Sequence, residues 1–518
     1  MNDENKESII KNSIIAVSAS LVLFTASIFL PSESRADELA AQAELDRIRE
    51  DPIALRQFLY RLPKGGNLHT HLGGNAYIEY FLLWAVEDGK CVDLETQSIT
   101  LPPCDTDANR PTAAEVIDNP DIVNELIDAM SVRNYKRRGV SGHNQFFATF
   151  ARFTPGMFGR QGDVLAKVMA RAARQENYYV EMMQSNGMFE AMNYARSNSD
   201  INERRSDREL LDDTELHSIM QDAIAFTDQM EAQWRATHRC EQDDADPGCD
   251  VQLRYLAQVV RTFPRNEVLA QTVLAVKLIE ADPRYVGLSF VAPEDNLISL
   301  RDFTWQMEIV RRFTAALPDE LRNVNMHAGE LALGMVPPDH LGKHVREAVE
   351  IAAARRIGHG TDIAYDPNMS QLMTYMAENN IAVEVSLTSS DVILGIQGAA
   401  HPFDTYRRHG VPITLATDDE GVSRIDYTYE YQRAVETYDL TYVDIKAISR
   451  NGLASSFLPG DSLFVKTLPV TMVGECSETS PGRLGRNREC QEFLENSEKA
   501  QAQWALEERF AEFERRYD

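Results

Sequence analysis

The sequence predicts an α/β protein built on a (β/α)8, TIM-type barrel, with an insertion between strands 2 and 3 and helical N- and C-terminal extensions. Three observations carry this expectation. Short apolar runs alternate with amphipathic helical stretches, the pattern of parallel strands joined by crossover helices. The runs number eight, the count such a barrel needs. Four clusters of reactive side chains each fall where a run ends, and strand ends build the working face of a barrel of this kind.

Residues 1–36 read as a secretory signal. Positions 13–30 hold no charge, Lys6 and Lys11 precede them, and Ser34-Arg35-Ala36 offers small residues for cleavage after Ala36. An uncleaved membrane anchor is the competing reading, because 18 apolar residues just reach spanning length. Residues 37–62 form a helical leader, with Leu39, Leu45, Ile48 and Leu55 as its apolar positions. The barrel occupies 63–460, its strands expected at 66–72, 178–184, 251–260, 286–291, 324–328, 356–359, 381–387 and 412–417. The polar, charge-dense stretch 185–249 is a surface insertion with helices. Residues 461–518 are a C-terminal extension, in which 491–518 reads as one amphipathic helix able to bury Trp504, Phe510 and Phe513.

Composition narrows the possible partners. Of 518 residues, 43% are apolar and 25% charged, which excludes wholesale disorder. Eighty acids against 52 bases leave a net charge of −28, and no basic patch interrupts them. Nucleic acid and acidic membrane faces are therefore not expected partners. The six cysteines fall as local pairs, Cys91/Cys104, Cys240/Cys249 and Cys476/Cys490, without CxxC spacing or a Cys/His cluster. That excludes zinc fingers and predicts three disulfides, hence a periplasmic or secreted protein.

The reactive clusters are four. His69 and His71 stand two apart on a strand, so both imidazoles face one side and can reach one metal. His327, at a strand end, is followed three residues later by Glu330, a carboxyl able to shuttle a proton beside a metal. His359 lies between Gly358 and Gly360, which allow close approach to a ligand, and can orient or deprotonate a water. Asp418 and Asp419 leave a strand in different directions, so one can bind metal while the other meets substrate. Three histidines and one aspartate make a mixed nitrogen and oxygen ligand set that favours zinc over iron or manganese. His340 and His344 stand at helical spacing without the glutamate of an HExxH motif, and read as surface residues. No P-loop, GxGxxG or GxSxG motif is present.

In this order the motifs resemble the adenosine/AMP deaminase family of the amidohydrolase superfamily. The resemblance runs from Leu62-Pro63-Lys64 through His69-x-His71, His327-Ala328-Gly329-Glu330, Arg356-Ile357-Gly358-His359-Gly360 and Ser386-Leu387-Thr388-Ser389-Ser390 to Thr417-Asp418-Asp419. It implies one Zn2+ held by His69, His71, His327 and Asp418. It implies hydrolytic deamination of adenosine or a related 6-aminopurine nucleoside, with a zinc-bound hydroxide attacking purine C6. Glu330 would protonate N1, His359 and Asp418 would orient and deprotonate the water, and Asp419 would meet N7. The backbone of Gly287 would meet N3, with His71 also lining the substrate site. Phe146, Phe147, Phe150 and Phe153 resemble the family's apolar lid helix.

Two departures bear on substrate. Gly73-Gly74 stands where the family usually places an acid that contacts the ribose, which leaves sugar recognition to Asn75 or to the insertion. SLTSS replaces the Cys-Pro of many members. Adenine, methylthioadenosine and N6-substituted purines are alternative substrates, and a catalytically silent, growth-factor-like secreted protein is the alternative from another class. The run VGLSFV lacks the lysine that bridges two metals in phosphotriesterase-like relatives, which favours a single-metal site.

Overall fold

The computed structural model describes residues 32–482 and 486–517. Most of the signal segment expected at 1–36 lies outside the described residues. Among the described residues, no helix is long and apolar enough to cross a membrane.

Eight parallel strands form the core: β1 (Asn67–His71), β2 (Tyr179–Gln184), β3 (Gln252–Val260), β4 (Tyr285–Val291), β5 (Asn325–Ala328), β6 (Arg356–His359), β7 (Ala382–Val385) and β8 (Ile413–Leu415). They pair in sequence order within two four-stranded halves. Parallel bridges from Leu288 to Val324 and from Thr70 to Asp418 join the halves, so the sheet closes on itself. The second seam is tied by Asp418 N–H to His69 O (3.0 Å) and His71 N–H to Asp418 O (3.3 Å). Barrel closure and the meeting of two reactive motifs are thus one event.

The barrel lumen is not wholly apolar. Arg356 of β6 is fully buried and donates to Glu181 of β2 and Glu384 of β7, each at 2.5 Å, while its guanidinium lies 3.6 Å from the Phe457 ring centroid. A buried cation between two buried carboxylates satisfies its own desolvation and fixes three strands in register.

The connections differ from expectation in three places. The excursion between β1 and β2, residues 72–178, also carries substantial structure: a Cys91–Asp93/Ser98–Thr100 hairpin and the helices Gly142–Met157 and Gln161–Arg174. The leader is two helices, Ser32–Ile48 and Pro52–Arg61; Asp51 accepts from the N–H groups of Ile53 and Ala54, and Pro52 opens the second helix. Leu39 faces solvent, 61% exposed, and the buried stripe runs instead through Ala41, Leu45 and Ile48. The terminal stretch is likewise two helices, Arg488–Glu495 and Glu498–Glu514, because Ser497 caps the second by accepting from Ala500 N–H. Trp504, Phe510 and Phe513 are buried as expected. Phe513 packs edge-on against Phe58 of the leader at 5.0 Å, while Arg450 holds Glu507 through two hydrogen bonds. Disulfides join Cys91–Cys104, Cys240–Cys249 and Cys476–Cys490, all three pairs expected from spacing.

Candidate active site

Four strand ends deliver the reactive side chains to one rim. His71 Nε2 lies 3.2 Å from Asp418 Oδ1 and 3.3 Å from His327 Nε2, and His69 Nε2 lies 3.6 Å from Asp418 Oδ1. The four expected ligands, scattered over some 350 residues of sequence, therefore converge around Asp418. His359 joins them: ligand atoms of His69, His327, His359 and Asp418 lie within 4.8 Å of one another, as do those of His71, Asp418 and Asp419.

Each of the three ligand imidazoles is oriented through its other nitrogen. His69 Nδ1 is 2.8 Å from a Glu384 oxygen, His71 Nδ1 is 2.9 Å from Gln258 Oε1, and His327 Nδ1 is 3.1 Å from Ser289 Oγ. A carboxylate and an amide oxygen only accept, and Ser289 Oγ is itself directed at Asn325 Oδ1. Nδ1 therefore carries the proton on all three rings, and the Nε2 lone pairs turn inward. His69 Nε2 is buried with no hydrogen-bond partner. Three Nε2 atoms gathered on one carboxylate fit a cation, and three imidazoles with one carboxylate suit zinc.

The electrostatics agree. Burial disfavours a charged His71, but Asp419 and Asp418 beside it outweigh burial and push its pKa up to about 9. The point where these groups meet favours positive charge. Burial and then the His69 ring lower His359 to about 3, so this imidazole is neutral. Burial would raise Asp418, yet the adjacent His69 and His71 imidazoles outweigh it and hold it well below the usual range. Glu330 goes the other way: burial, then the Asp418 and Glu294 charges, raise it well above a normal carboxyl. Asp419 is pushed up to about 8, chiefly by burial. Neighbouring acids are thus pushed in opposite directions, Asp418 toward the carboxylate and Glu330 and Asp419 toward the protonated acid. Ser389 links them, with Oγ 2.7 Å from Asp418 Oδ2 and 3.5 Å from Glu330 Oε1.

Local backbone makes room for this crowding. A Cβ on Gly358 would lie 2.6 Å from the His69 ring, and one on Gly74 would overlap the Asp419 carboxylate. Gly74 is thus a steric requirement of the TDD motif. His359 (φ 69°), Asp418 (φ 56°) and Ala292 (φ 82°) hold positive φ at three strand ends, a strain that rigid surroundings sustain at functional sites.

Above the cluster opens a cavity of about 820 Å3, lined at its floor by His71, His327, Glu330, His359, Asp418 and Asp419. Phe146, Phe147, Phe150 and Phe153 of helix Gly142–Met157 form one wall, as expected. Ser141 caps this helix by accepting from Asn144 N–H, and His143 anchors it to Asp295 beyond β4 at 3.1 Å.

The adenosine deaminase family model matches residues 169–463, more than half of the chain. The chain belongs to the adenosine deaminase family. Its sequence is 37% identical over 136 residues to an adenosine deaminase of Yersinia enterocolitica, covering 26% of this chain and 38% of that one. It is 36% identical over 137 residues to an adenosine deaminase of Vibrio parahaemolyticus, again covering 26% and 38%. The alignments therefore span well under half the length of these curated relatives. A solved adenine deaminase from Arthrobacter aurescens superposes with a TM-score of 0.48 and 15% identity, covering 77% of this chain and 94% of that chain.

Against the expectations from this family's motifs, three residues stand elsewhere. Gly287 is the third residue of β4, and a Cβ there would meet Asn323 O and the Phe457 ring, away from the cavity. β4 runs on to Val291, so a residue that early in it cannot reach the rim; Val291, Ala292 and Pro293 line the cavity there. Asn75 is buried and engaged with Thr70, so it offers nothing to a sugar. His344, expected at the surface, is fully buried, stacks on Phe303 at 3.7 Å and pairs through Nδ1 with Glu294.

Glu294 and Glu384 are the positioning groups that motif reading missed. Glu294 accepts the Gly329 and Glu330 N–H groups at 2.9 and 2.8 Å, which clamps the turn presenting Glu330. Glu384 holds His69 and is itself held by Arg356 and by Asn325 (2.7 Å). Glu384 had a signal: a lone acid inside the apolar run AVEV of a strand has no reason to be there unless partnered.

Proposed function

We propose that this protein is a zinc-dependent hydrolase that deaminates the exocyclic amine of a 6-aminopurine, adenosine or a close derivative, to the 6-oxo purine and ammonia. The observation carrying this reading is the convergence of three inward Nε2 atoms on Asp418, with Glu330 beside it. His69, His71, His327 and Asp418 would hold the metal, which when bound lowers the pKa of a water toward about 7.

The chain's own residues supply the rest. Glu330, protonated in its buried setting, donates to purine N1 and makes C6 electrophilic. His359, neutral and unpartnered on both ring nitrogens, accepts a proton from the attacking water. Asp419, also protonated, presents a donor to N7. Addition forms the C6–O bond and gives a tetrahedral carbon bearing OH and NH2. The N1 proton enters from Glu330. The leaving nitrogen takes the proton that His359 accepted as the C6–N bond breaks, the C6 hydroxyl proton passes to Glu330 as the 6-oxo group forms, and ammonia departs. Incubating the purified protein with adenosine and measuring ammonia tests the reading: release at more than background is expected, and none from any 6-aminopurine would refute it.

We also propose export, the chain being periplasmic or secreted after removal of 1–36. Three disulfides among six cysteines support this. Non-reducing mass spectrometry of protein from its native host should find an N-terminus at Asp37 and no free thiol; six free thiols would contradict it.

A further inference from the structure

The cavity above the reactive cluster is roomier and less polar than the chemistry at its floor requires. Most of its neutral polar side chains are already engaged within the protein, Gln161 being the exception. Gln258 serves His71 with its oxygen and donates to Ser185 Oγ at 3.0 Å. Gln184 donates to Tyr285 and accepts from Asn186 N–H, while the Asn186 amide donates to Thr227 at 3.0 Å. Thr154 donates to Phe150 O. The polar side chains left to meet a ligand along this wall are Gln161, Glu190 and Asp222.

Outward of these groups the lining is aromatic and comes from two directions. Phe150 and Phe158 approach from the Gly142–Met157 side, and Phe189 and Phe226 from helices Met188–Ser197 and Thr214–Thr237 of the stretch 185–249. Phe158 is 48% exposed and Phe189 53%, so both present bare rings at the mouth. The charged groups there are Glu190 and Asp222; among the described residues no lysine or arginine lines the cavity. A phosphate in that place would face two carboxylates with no compensating cation. An apolar group would instead cover exposed aromatic surface.

Resting on the deamination reading above, we infer that the preferred substrate is an uncharged 6-aminopurine with an apolar group on the side of the ring remote from C6. Residues 185–249 select it through Phe189 and Phe226. With C6 at the floor, that side of the purine points to the mouth, where these rings stand.

The test compares kcat/KM of the full-length zinc-loaded protein for adenosine, 5′-methylthio-5′-deoxyadenosine and AMP, with equilibrium dialysis of the same three. The thioether should exceed adenosine about tenfold or more, and AMP should fall at least about a hundredfold below adenosine. In Phe189→Ala/Phe226→Ala the thioether-to-adenosine ratio should drop about tenfold; Phe189→Ser alone, at an exposed position, should lower it in the same direction if the double variant does not fold. A wild-type ratio at or below one, or AMP processed as well as the nucleosides, overturns the inference. A ratio unmoved in both variants overturns the role of 185–249. Tight, thioether-selective binding without ammonia from any compound would sustain the pocket assignment and sink the deamination reading.

Discussion

Glu330 and Asp418 are buried carboxyls at one rim, yet their pKa values are driven in opposite directions, and their partners decide which. Asp418 receives two imidazoles; Glu330 has a serine hydroxyl at 3.5 Å, His359 Nδ1 at 3.7 Å and the repulsion of Asp418 and Glu294. Glu330→Gln should keep the metal, measured by elemental analysis, while ammonia release falls by at least about a hundredfold. Retained turnover would remove Glu330 from the chemistry. Glu384→Gln should weaken metal binding about 10- to 100-fold in a chelator competition, because His69 loses the charged acceptor that raises its basicity. Affinity unchanged would mean that His69 is not a ligand. At this scale the sequence was generous: HxH, HAGE, RIGHG and TDD each sit at a strand end and announce themselves. Glu294 and His344 did not, because the turn that they hold is 35 residues from the one and on the far side of a loop from the other. Gly287 misleads because its strand continues to Val291, which leaves the rim to Val291, Ala292 and Pro293.

Among the elements, the loop after β7 shows how a buried neutral group couples to pH. His401 accepts Phe403 N–H through Nδ1 at 3.1 Å, and its Nε2 is buried without a partner. Burial, and then Arg433, lower its pKa from 6.5 to about 4. The unfolded chain therefore binds a proton from about pH 6.5 downward while the folded chain resists until about pH 4, so acid favours unfolding. His401→Gln keeps an acceptor and does not titrate. Relative to this variant, the wild type should lose about 2 kcal/mol between pH 7 and pH 5 in denaturant titrations, 1.5 units below the free value at about 1.4 kcal/mol each. A difference flat with pH would show that His401 is charged or exposed in the folded protein. Eight strands were legible because apolar runs bounded by helical periodicity survive in any context. The breaks at Asp51-Pro52 and Ser497 were legible in principle, as capping residues, but amphipathic periodicity runs straight across both. The elaborate β1–β2 excursion was not, since its short helices and hairpin have too little periodicity to separate from loop.

The molecule as a whole joins barrel closure to site assembly. The seam between β1 and β8 is the same backbone that carries His69, His71 and Asp418. Binding of a cation by these residues should stabilise the barrel where it closes. Zinc at about one hundred times its dissociation constant should raise the unfolding free energy by about 2.7 kcal/mol, seen as a shifted denaturant midpoint. No shift would place the metal outside the seam. The most direct measurement of the central claim is metal stoichiometry and ammonia release from adenosine on one preparation, before chelation, after it, and after zinc is returned. The arrangement of His69, His71, His327 and Asp418 predicts one zinc per chain, activity lost with the metal, and activity restored at one equivalent. Undiminished ammonia release from rigorously metal-free protein would contradict it.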